Sequence, residues 1–172
     1  MRMSNGLQRA FLWTVVMAAS VVALAMPLHA QGLVGSIVPP YPAGLSEQEG
    51  SCIGDKPDQP CEWGIGVLAN AAGKKVQIYA ASDAKPPEER NARWRVTDVL
   101  PYPTLGKGLD LAVAVCRSGG AEDSAILAVV RNAKREFLQA TGWVYRLDRT
   151  SGKFVKLSPN GIDCINAGLD AD

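Results

Sequence analysis

Two strand-length apolar runs dominate the hydrophobic pattern of the chain after its first thirty residues. Residues 109–117 and 125–131 are rich in Val, Leu and Ile, and a polar loop with Gly119 and Gly120 separates them. Runs that are apolar at nearly every position are typical of strands covered on both faces. The pattern therefore predicts that these two runs form the core of the domain.

Side-chain size alternates along the first of these runs. In a strand, successive side chains point to opposite faces, so one face carries large residues (Leu109, Leu111, Val113, Val115) and the other carries small ones (Ala112, Ala114, Cys116). Small residues leave room for another backbone to approach closely. We expect the segment that contains Cys164 to lie on this small-residue face.

Three shorter segments before these runs are predicted to be strands, over 65–69, 76–81 and 93–100. The last two alternate between apolar and polar residues, which is typical of half-buried antiparallel strands. Pro101 and Pro103 end the third of these strands because proline cannot donate to a sheet. Residues 143–148 and 153–157 flank a four-residue turn and predict a β-hairpin in which Gly152 supplies the positive φ. Residues 132–141 are the one segment that admits a short helix, with Asn132 as N-cap and Gly142 as terminator.

These segments amount to about seven short strands with turn residues between them and no series of long helices. We therefore predict a mainly β fold, namely a small antiparallel β sandwich or a partly open barrel. Residues 31–51, which contain prolines and glycines without an apolar period, are predicted to be an extended, poorly ordered lead-in. Residues 52–172 are predicted to form a single disulfide-stapled β domain.

The first thirty residues have the pattern of a cleaved secretory signal peptide. Arg2 and Arg9 give a positively charged N-terminal region, and residues 11–26 are apolar or small apart from Thr14 and Ser20. Ala30 provides the small residue expected at a cleavage site. The apolar run is shorter than the roughly 20 residues that span a bilayer, so an uncleaved anchor is the weaker alternative. We expect a periplasmic or secreted protein that meets the membrane only through this segment during export.

Removal of residues 1–30 changes the chemical inventory of the chain. His29, the only histidine, is lost, and with Arg2 and Arg9 gone the 18 basic residues fall to 16 against 17 acidic ones, a formal charge of −1. This near-neutral balance gives no electrostatic reason to expect nucleic acid as a partner.

The four cysteines predict two disulfides in an oxidising compartment. Cys52 and Cys61 flank a turn-rich loop that brings its own ends together, so we pair them, which leaves Cys116 with Cys164. A free reactive thiol is the alternative. No Cys-x-x-Cys pair exists and no histidine is left to complete a zinc site, so no metal site is predicted.

Two local motifs have ordinary structural explanations. Gly64-Ile-Gly66-Val-Leu-Ala69 fits a dinucleotide-binding fingerprint, but that motif needs a strand before it and a helix after it, and the flanking residues provide neither. We expect these glycines to belong to a twisted or bulged strand, and we predict no cofactor. Ser82-Asp-Ala-Lys85 matches the Ser-x-x-Lys of penicillin-recognising hydrolases, yet Pro86 and Pro87 would truncate the helix that this motif requires.

Catalytic groups are few in the exported chain. Without histidine the usual serine or cysteine triad cannot be built, so only paired carboxylates could act as acid and base. Five acids lie in or beside predicted strands, and no pair stands out: Asp98, Asp110, Glu122, Asp123, Asp148. Asp110 and Asp148 fall at strand ends, where a turn-stabilising role is the ordinary explanation. No catalytic residue is assigned.

The candidate binding surface combines aromatic residues with the polar loop between the two core runs. Trp143 and Tyr145 share one face of a predicted strand, and Arg117, Glu122 and Asp123 come from the loop. Core or cross-strand packing is the alternative explanation for the aromatic residues, Trp63 and Trp94 included.

The sequence does not decide between three hypotheses for the molecular function. A non-enzymatic exported domain that binds a protein or a cell-envelope component, as an inhibitor or assembly factor, is the first hypothesis. A carboxylate-dependent hydrolase that acts on envelope polysaccharide is the alternative, and a purely structural role is the third. Two carboxylates within about 10 Å of each other in an open cleft lined by tryptophan would favour the hydrolase.

Overall fold

The structure is a computed structural model, and it describes residues 32–54, 61–84 and 93–169. Within these ranges the chain is all-β and contains no helix, which confirms the predicted mainly β fold. Its strands form two antiparallel sheets, one of which curls into a half-barrel. Accordingly, the described residues include no helix long and apolar enough to cross a membrane.

The first sheet has five strands. They are β1 (Ile37–Val38), β2 (Leu45–Ile53), β3 (Trp63–Asn70), β4 (Lys75–Asp83) and β5 (Trp94–Pro101). From edge to edge their order is β1-β5-β4-β3-β2, so β2 is an edge strand.

The second sheet has seven strands. They are β6 (Leu109–Val113), β7 (Cys116–Ser118), β8 (Ala121–Asp123), β9 (Ile126–Arg131), β10 (Phe137–Asp148), β11 (Lys153–Lys156) and β12 (Ile162–Ile165). Their order is β6-β9-β10-β12-β7-β8, and β11 pairs with β10 beside this path. The described residues thus form twelve strands rather than about seven, because several are only two to four residues long.

The core separates into a central cluster between the sheets and a second cluster within the second sheet, which is the sheet that curls into the half-barrel. Strand β9 contributes to both, since Leu127 packs in the central cluster while Ile126, Ala128 and Val130 pack in the half-barrel. All of these residues are buried, so the prediction that residues 125–131 form a strand covered on both faces is confirmed. Strand β6 differs, because it is an edge strand whose apolar residues are only half-buried.

The first apolar run is divided between β6 and β7. Ala114, with a φ of 60°, breaks the strand, and Val115 beyond it is 39% exposed. The expectation that Val115 continues the large-residue face is therefore wrong. Ala112 and Cys116 do face the half-barrel cluster, where Cys164 lies directly opposite Cys116.

A third cluster covers part of the outer face of the first sheet. Leu33 and Val38 are buried there against side chains from β3, β4 and β5. The predicted lead-in is thus extended, but it differs from a loose segment because β1 pairs with β5 and β2 pairs with β3 along its length.

Two local predictions for the second half of the chain have opposite outcomes. The β10–β11 hairpin is confirmed, with Gly152 at a φ of 69° in its turn. The short helix over 132–141 is wrong, because residues from Phe137 onward belong to β10. Leu138 there is buried and pairs with Cys164, while Gln139 is exposed, so pairing with β12 overrides the weak helical signal.

Both predicted disulfides are present. Cys52 is joined to Cys61, and Cys116 is joined to Cys164. Each bridge staples a single sheet, since the first ties β2 to the residues before β3 and the second ties β7 to β12. Two disulfides indicate an oxidising environment, either periplasmic or extracellular.

Candidate functional site

The aromatic half of the predicted binding surface lies mainly in the core. The rings of Trp143 and Tyr145 are in tilted contact, with centroids 4.7 Å apart and planes at 55°, and both residues are half-buried against the central cluster. Packing between the sheets therefore accounts for most of their area.

The polar half of that surface consists of internal pairs within the second sheet. Arg117 makes a bidentate ion pair with Asp163, at 2.8 and 3.0 Å, and its guanidinium lies 3.2 Å from the centre of the Phe137 ring. The carboxylate of Asp163, which accepts these hydrogen bonds, raises the pKa of Arg117 further. The guanidinium is thus already engaged by the protein itself.

Asp123 and Glu122, the other two polar residues, have separate contacts. Asp123 pairs with Arg146 at 2.9 Å and accepts a hydrogen bond from the backbone N–H of Ala125, while Glu122 is exposed opposite Arg117 in the β7–β8 hairpin. Arg146 and Tyr145 are neighbours on β10 and point to opposite faces. The structure therefore does not bring the five predicted residues together on one surface.

The described residues offer a different site, a cleft on the outer face of the first sheet beside the segment that buries Leu33 and Val38. We call it the outer-face cleft. It has a volume of about 240 Å³ and is lined by Glu47, Gly50, Ser51, Cys52, Cys61, Gly64, Ile65, Tyr79 and Trp94. It thus brings together an acid, two aromatic rings and the Cys52–Cys61 bridge.

Two glycines on β3 leave room for the aromatic rings of the outer-face cleft, and one of them, Gly64, is itself a lining residue. A Cβ at Gly66 would collide with the ring of Tyr79 and lie 2.6 Å from Oε1 of Glu47. A Cβ at Gly64 would lie 3.7 Å from the ring of Trp94. Glycine at position 66 is therefore what allows a large side chain from β4 to lie flat across the sheet. These contacts account for the Gly64–Gly66 motif, which lies in β3, a strand with a register shift against β4 between Leu68 and Ala69.

A hydrogen-bonded cluster stands at the side of the cleft. The Tyr79 hydroxyl donates to Oε1 of Glu47 at 2.5 Å, and the Tyr41 hydroxyl donates to Oε2 at 2.7 Å. The two hydroxyl oxygens are themselves 3.2 Å apart. We call these three residues the Tyr–Glu–Tyr cluster. It fixes the carboxylate of Glu47 from both sides.

Both tyrosines of this cluster resist ionisation. Burial, followed by the hydrogen bonds to Glu47 and Tyr41, raises the pKa of Tyr79 far above its usual value of 10.0. Burial also raises the pKa of Tyr41, to about 12, and the neighbouring carboxylate of Glu47 adds to the effect. Both hydroxyls therefore remain hydrogen-bond donors at neutral pH.

From the sequence, Trp94 is a candidate either for stacking on a ligand or for packing, and no pattern marks Glu47, Tyr41 or Tyr79. Glu47 falls in the segment interpreted as a lead-in, and Tyr79 occupies an ordinary alternating strand. One signal was present, because a hairpin between residues 65–69 and 76–81 places Gly66 opposite Tyr79, as the structure shows. An aromatic residue opposite a glycine marks a place where a ring lies across the sheet.

Three of the acidic residues in or beside predicted strands, Asp98, Asp110 and Asp148, hydrogen-bond to nearby backbone or side-chain groups. Asp98 accepts a hydrogen bond from the backbone N–H of Phe154, and Asp110 accepts one from Leu111. Asp148 accepts hydrogen bonds from the Ser151 hydroxyl and the Thr150 N–H, which together lower its pKa. The turn-stabilising role expected for Asp148 is thus what its contacts show.

The remaining motifs provide no site in the described ranges. Ser82 lies on β4 rather than on a helix, and Lys85 lies outside the described residues. Among residues 32–54, 61–84 and 93–169, no group of three His, Cys, Asp or Glu side chains is placed to hold a metal ion.

Comparison with known proteins adds no assignment, since no protein-family model, curated protein or solved structure matches this chain.

Proposed function

We propose that the protein is an exported, non-enzymatic binding domain of the cell envelope, and that the outer-face cleft is its binding site. The observation that supports this most is the cleft itself, a cavity of about 240 Å³ that combines Trp94, Tyr79 and Glu47. Aromatic faces with a few fixed polar groups are the usual composition of a binding pocket.

The positive start and apolar middle of residues 1–30 support export, and two disulfides agree with an oxidising destination. A small β sandwich stapled in this way presents a rigid surface, which lowers the entropy lost on binding.

The hydrolase alternative receives less support from this cleft. Hydrolysis of a glycosidic bond by the usual mechanism needs two carboxylates that flank the bond. Glu47 is the single acidic residue among the described residues that line the cleft, and two tyrosine hydroxyls already donate to it. A fixed carboxylate beside aromatic rings suits recognition better than proton transfer.

Affinity capture from envelope extract tests the proposal when it is done with paired variants. The oxidised chain should retain a component that Trp94→Phe loses, whereas the control Trp143→Phe, altered in the core between the sheets, should retain it. The captured component, once purified, should bind the original chain saturably. Equal retention by the two variants would show that the cleft is not the binding site.

A further inference from the structure

We propose that the outer-face cleft takes the side chain of a lysine or arginine presented by a partner polypeptide that lies along β2. This inference rests on the proposed binding function and specifies its ligand. Three independent features of the described residues support it, namely charge, surface chemistry and position in the sheet.

The charge of Glu47 is the first feature. No lysine or arginine is among the described residues that line the cleft, and the described ion pairs engage other carboxylates, such as Glu49 with Lys75 and Asp163 with Arg117. A carboxylate offers about four lone-pair positions, and the two tyrosine hydroxyls use two of them. The remaining positions are suited to charged N–H donors, which make the stronger hydrogen bonds to a carboxylate.

The walls of the cleft are the second feature. The faces of Trp and Tyr rings attract ammonium and guanidinium groups, and Trp94 and Tyr79 both line the cavity. The Cys52–Cys61 bridge adds apolar surface against which the methylene stem of a long basic side chain can pack. The composition therefore matches both ends of a lysine or arginine side chain.

The size of the cleft limits the occupant to a single group of this kind. Its volume of about 240 Å³ lies below the range of roughly 300–1,000 Å³ that is usual for pockets that enclose a whole small-molecule ligand. A cavity of this size suits one long side chain whose backbone remains outside.

The edge position of β2 is the third feature, and it points to a polypeptide as the source of the side chain. Among the described strands β3 is the only neighbour of β2, so the other edge of β2 has no strand partner there. Gly50 and Ser51 belong both to this edge and to the cleft lining. An extended peptide paired with the regular part of the edge, beyond the bulge between Glu47 and Glu49, would pass the mouth of the cleft.

The test uses the full oxidised chain and blocked pentapeptides of the form Ala-Ala-X-Ala-Ala. The central residue X is lysine, arginine, norleucine or N-acetyl-lysine, and binding is measured by calorimetry and by tryptophan fluorescence. We expect the lysine and arginine peptides to bind at least tenfold more tightly than the norleucine and N-acetyl-lysine peptides. The last comparison alters only the ligand, so it remains decisive even where a protein variant fails to fold.

Protein variants then test whether the carboxylate of Glu47 binds the charged side chain of the peptide. Glu47→Gln should weaken binding of the lysine peptide at least tenfold, while the matched control Glu122→Gln, an exposed acid of the second sheet, should leave it unchanged. Equal affinity for charged and uncharged peptides, or no binding of any peptide, would overturn the inference. Butylamine that binds as tightly as the lysine peptide would overturn the role of the polypeptide.

These outcomes are separable from those of the proposed function. If an envelope component is captured in a Trp94-dependent manner while lysine and arginine peptides fail to bind, the cation inference is wrong and the binding function stands. If capture is independent of Trp94, the binding function of the cleft is wrong as well.

Discussion

Tyr41 ties the segment before β2 to the carboxylate of Glu47, and its hydroxyl makes that link sensitive to alkaline pH. Its pKa is about 12 in the folded chain because of burial and, to a smaller extent, the nearby carboxylate, against 10.0 for an ordinary tyrosine. A group whose pKa is raised on folding stabilises the fold fully below its unfolded pKa and loses that contribution as pH rises through the folded pKa.

We therefore expect the free energy of unfolding to fall between about pH 10 and pH 12, in part because Tyr41 must ionise. In Tyr41→Phe this part of the decline is absent, so stability should fall less steeply over the same interval. Urea unfolding of both proteins at pH 9, 10 and 11 measures the two slopes. Parallel slopes would show that Tyr41 is not held in its neutral form by the fold.

Ala114 is the one described residue other than glycine with a positive φ, at 60°. A left-handed conformation costs an L-residue roughly 1–2 kcal/mol, while glycine adopts it without strain. We expect Ala114→Gly to raise the free energy of unfolding by about 1 kcal/mol after the entropy of the extra glycine is subtracted. Ala112→Gly, two residues earlier in regular β6, is the matched control and should lower stability by about 1 kcal/mol. Chemical denaturation that finds the two effects equal in sign would contradict this account.

At the scale of single elements, the β10–β11 hairpin shows how a turn is coupled to the sheet opposite. Gly152 has a φ of 69°, and a Cβ there would lie 3.0 Å from Cβ of Thr97 and 3.2 Å from the Trp63 ring. Gly73, in the β3–β4 turn, has a φ of 76° but open space around it. The two turns thus share the backbone requirement and differ in packing.

Gly152→Ala should therefore destabilise the fold more than Gly73→Ala. Backbone strain accounts for roughly 1–2 kcal/mol in each variant. Displacement of Thr97 and Trp63 should add about 1 kcal/mol or more at Gly152 alone. Thermal and urea unfolding of both variants measure the difference. Equal losses would mean that the hairpin does not press against the first sheet at this point.

Elements with strong local patterns could be predicted from the sequence, and those that depend on distant partners could not. Strand β9 was evident because its residues from Ile126 to Val130 form an unbroken apolar run, and the β10–β11 hairpin was evident because Gly152 marks its turn. The N-terminal half of β10 was misread as a helix because its partner, β12, lies about twenty-five residues further along the chain. The Cys116–Cys164 pairing predicted that β12 approaches β7, but it gave no information about β10.

The candidate site was the least predictable part for the same reason. Glu47, Tyr79 and Trp94 come from three different strands and meet only because of the sheet order β5-β4-β3-β2. A polar residue in a proline- and glycine-rich segment has no local pattern that marks it as part of a site.

At the scale of the whole molecule, the two sheets are joined by packing and a few hydrogen bonds, and no disulfide crosses between them. Strand β11 makes the polar link, since Phe154 donates its N–H to Asp98 at 2.8 Å and Lys153 donates to the Thr97 carbonyl at 2.8 Å. Each disulfide instead staples one sheet internally. The Cys52–Cys61 bridge lines the outer-face cleft, whereas the Cys116–Cys164 bridge lies in the half-barrel cluster and links the paired strands β7 and β12.

This separation predicts different effects for removal of the two bridges. The longer Cys116–Cys164 loop, with a sequence separation of 48 against 9, should contribute about 4 kcal/mol, and the Cys52–Cys61 bridge about 3 kcal/mol. Paired alanine variants should therefore lose more stability in urea when Cys116 and Cys164 are replaced than when Cys52 and Cys61 are replaced. The reverse order would mean that strain, rather than loop entropy, decides.

Binding of the lysine peptide should depend on the other bridge. It should weaken when Cys52 and Cys61 are replaced and stay constant, in the folded fraction, when Cys116 and Cys164 are replaced, because only the first bridge forms a wall of the cleft.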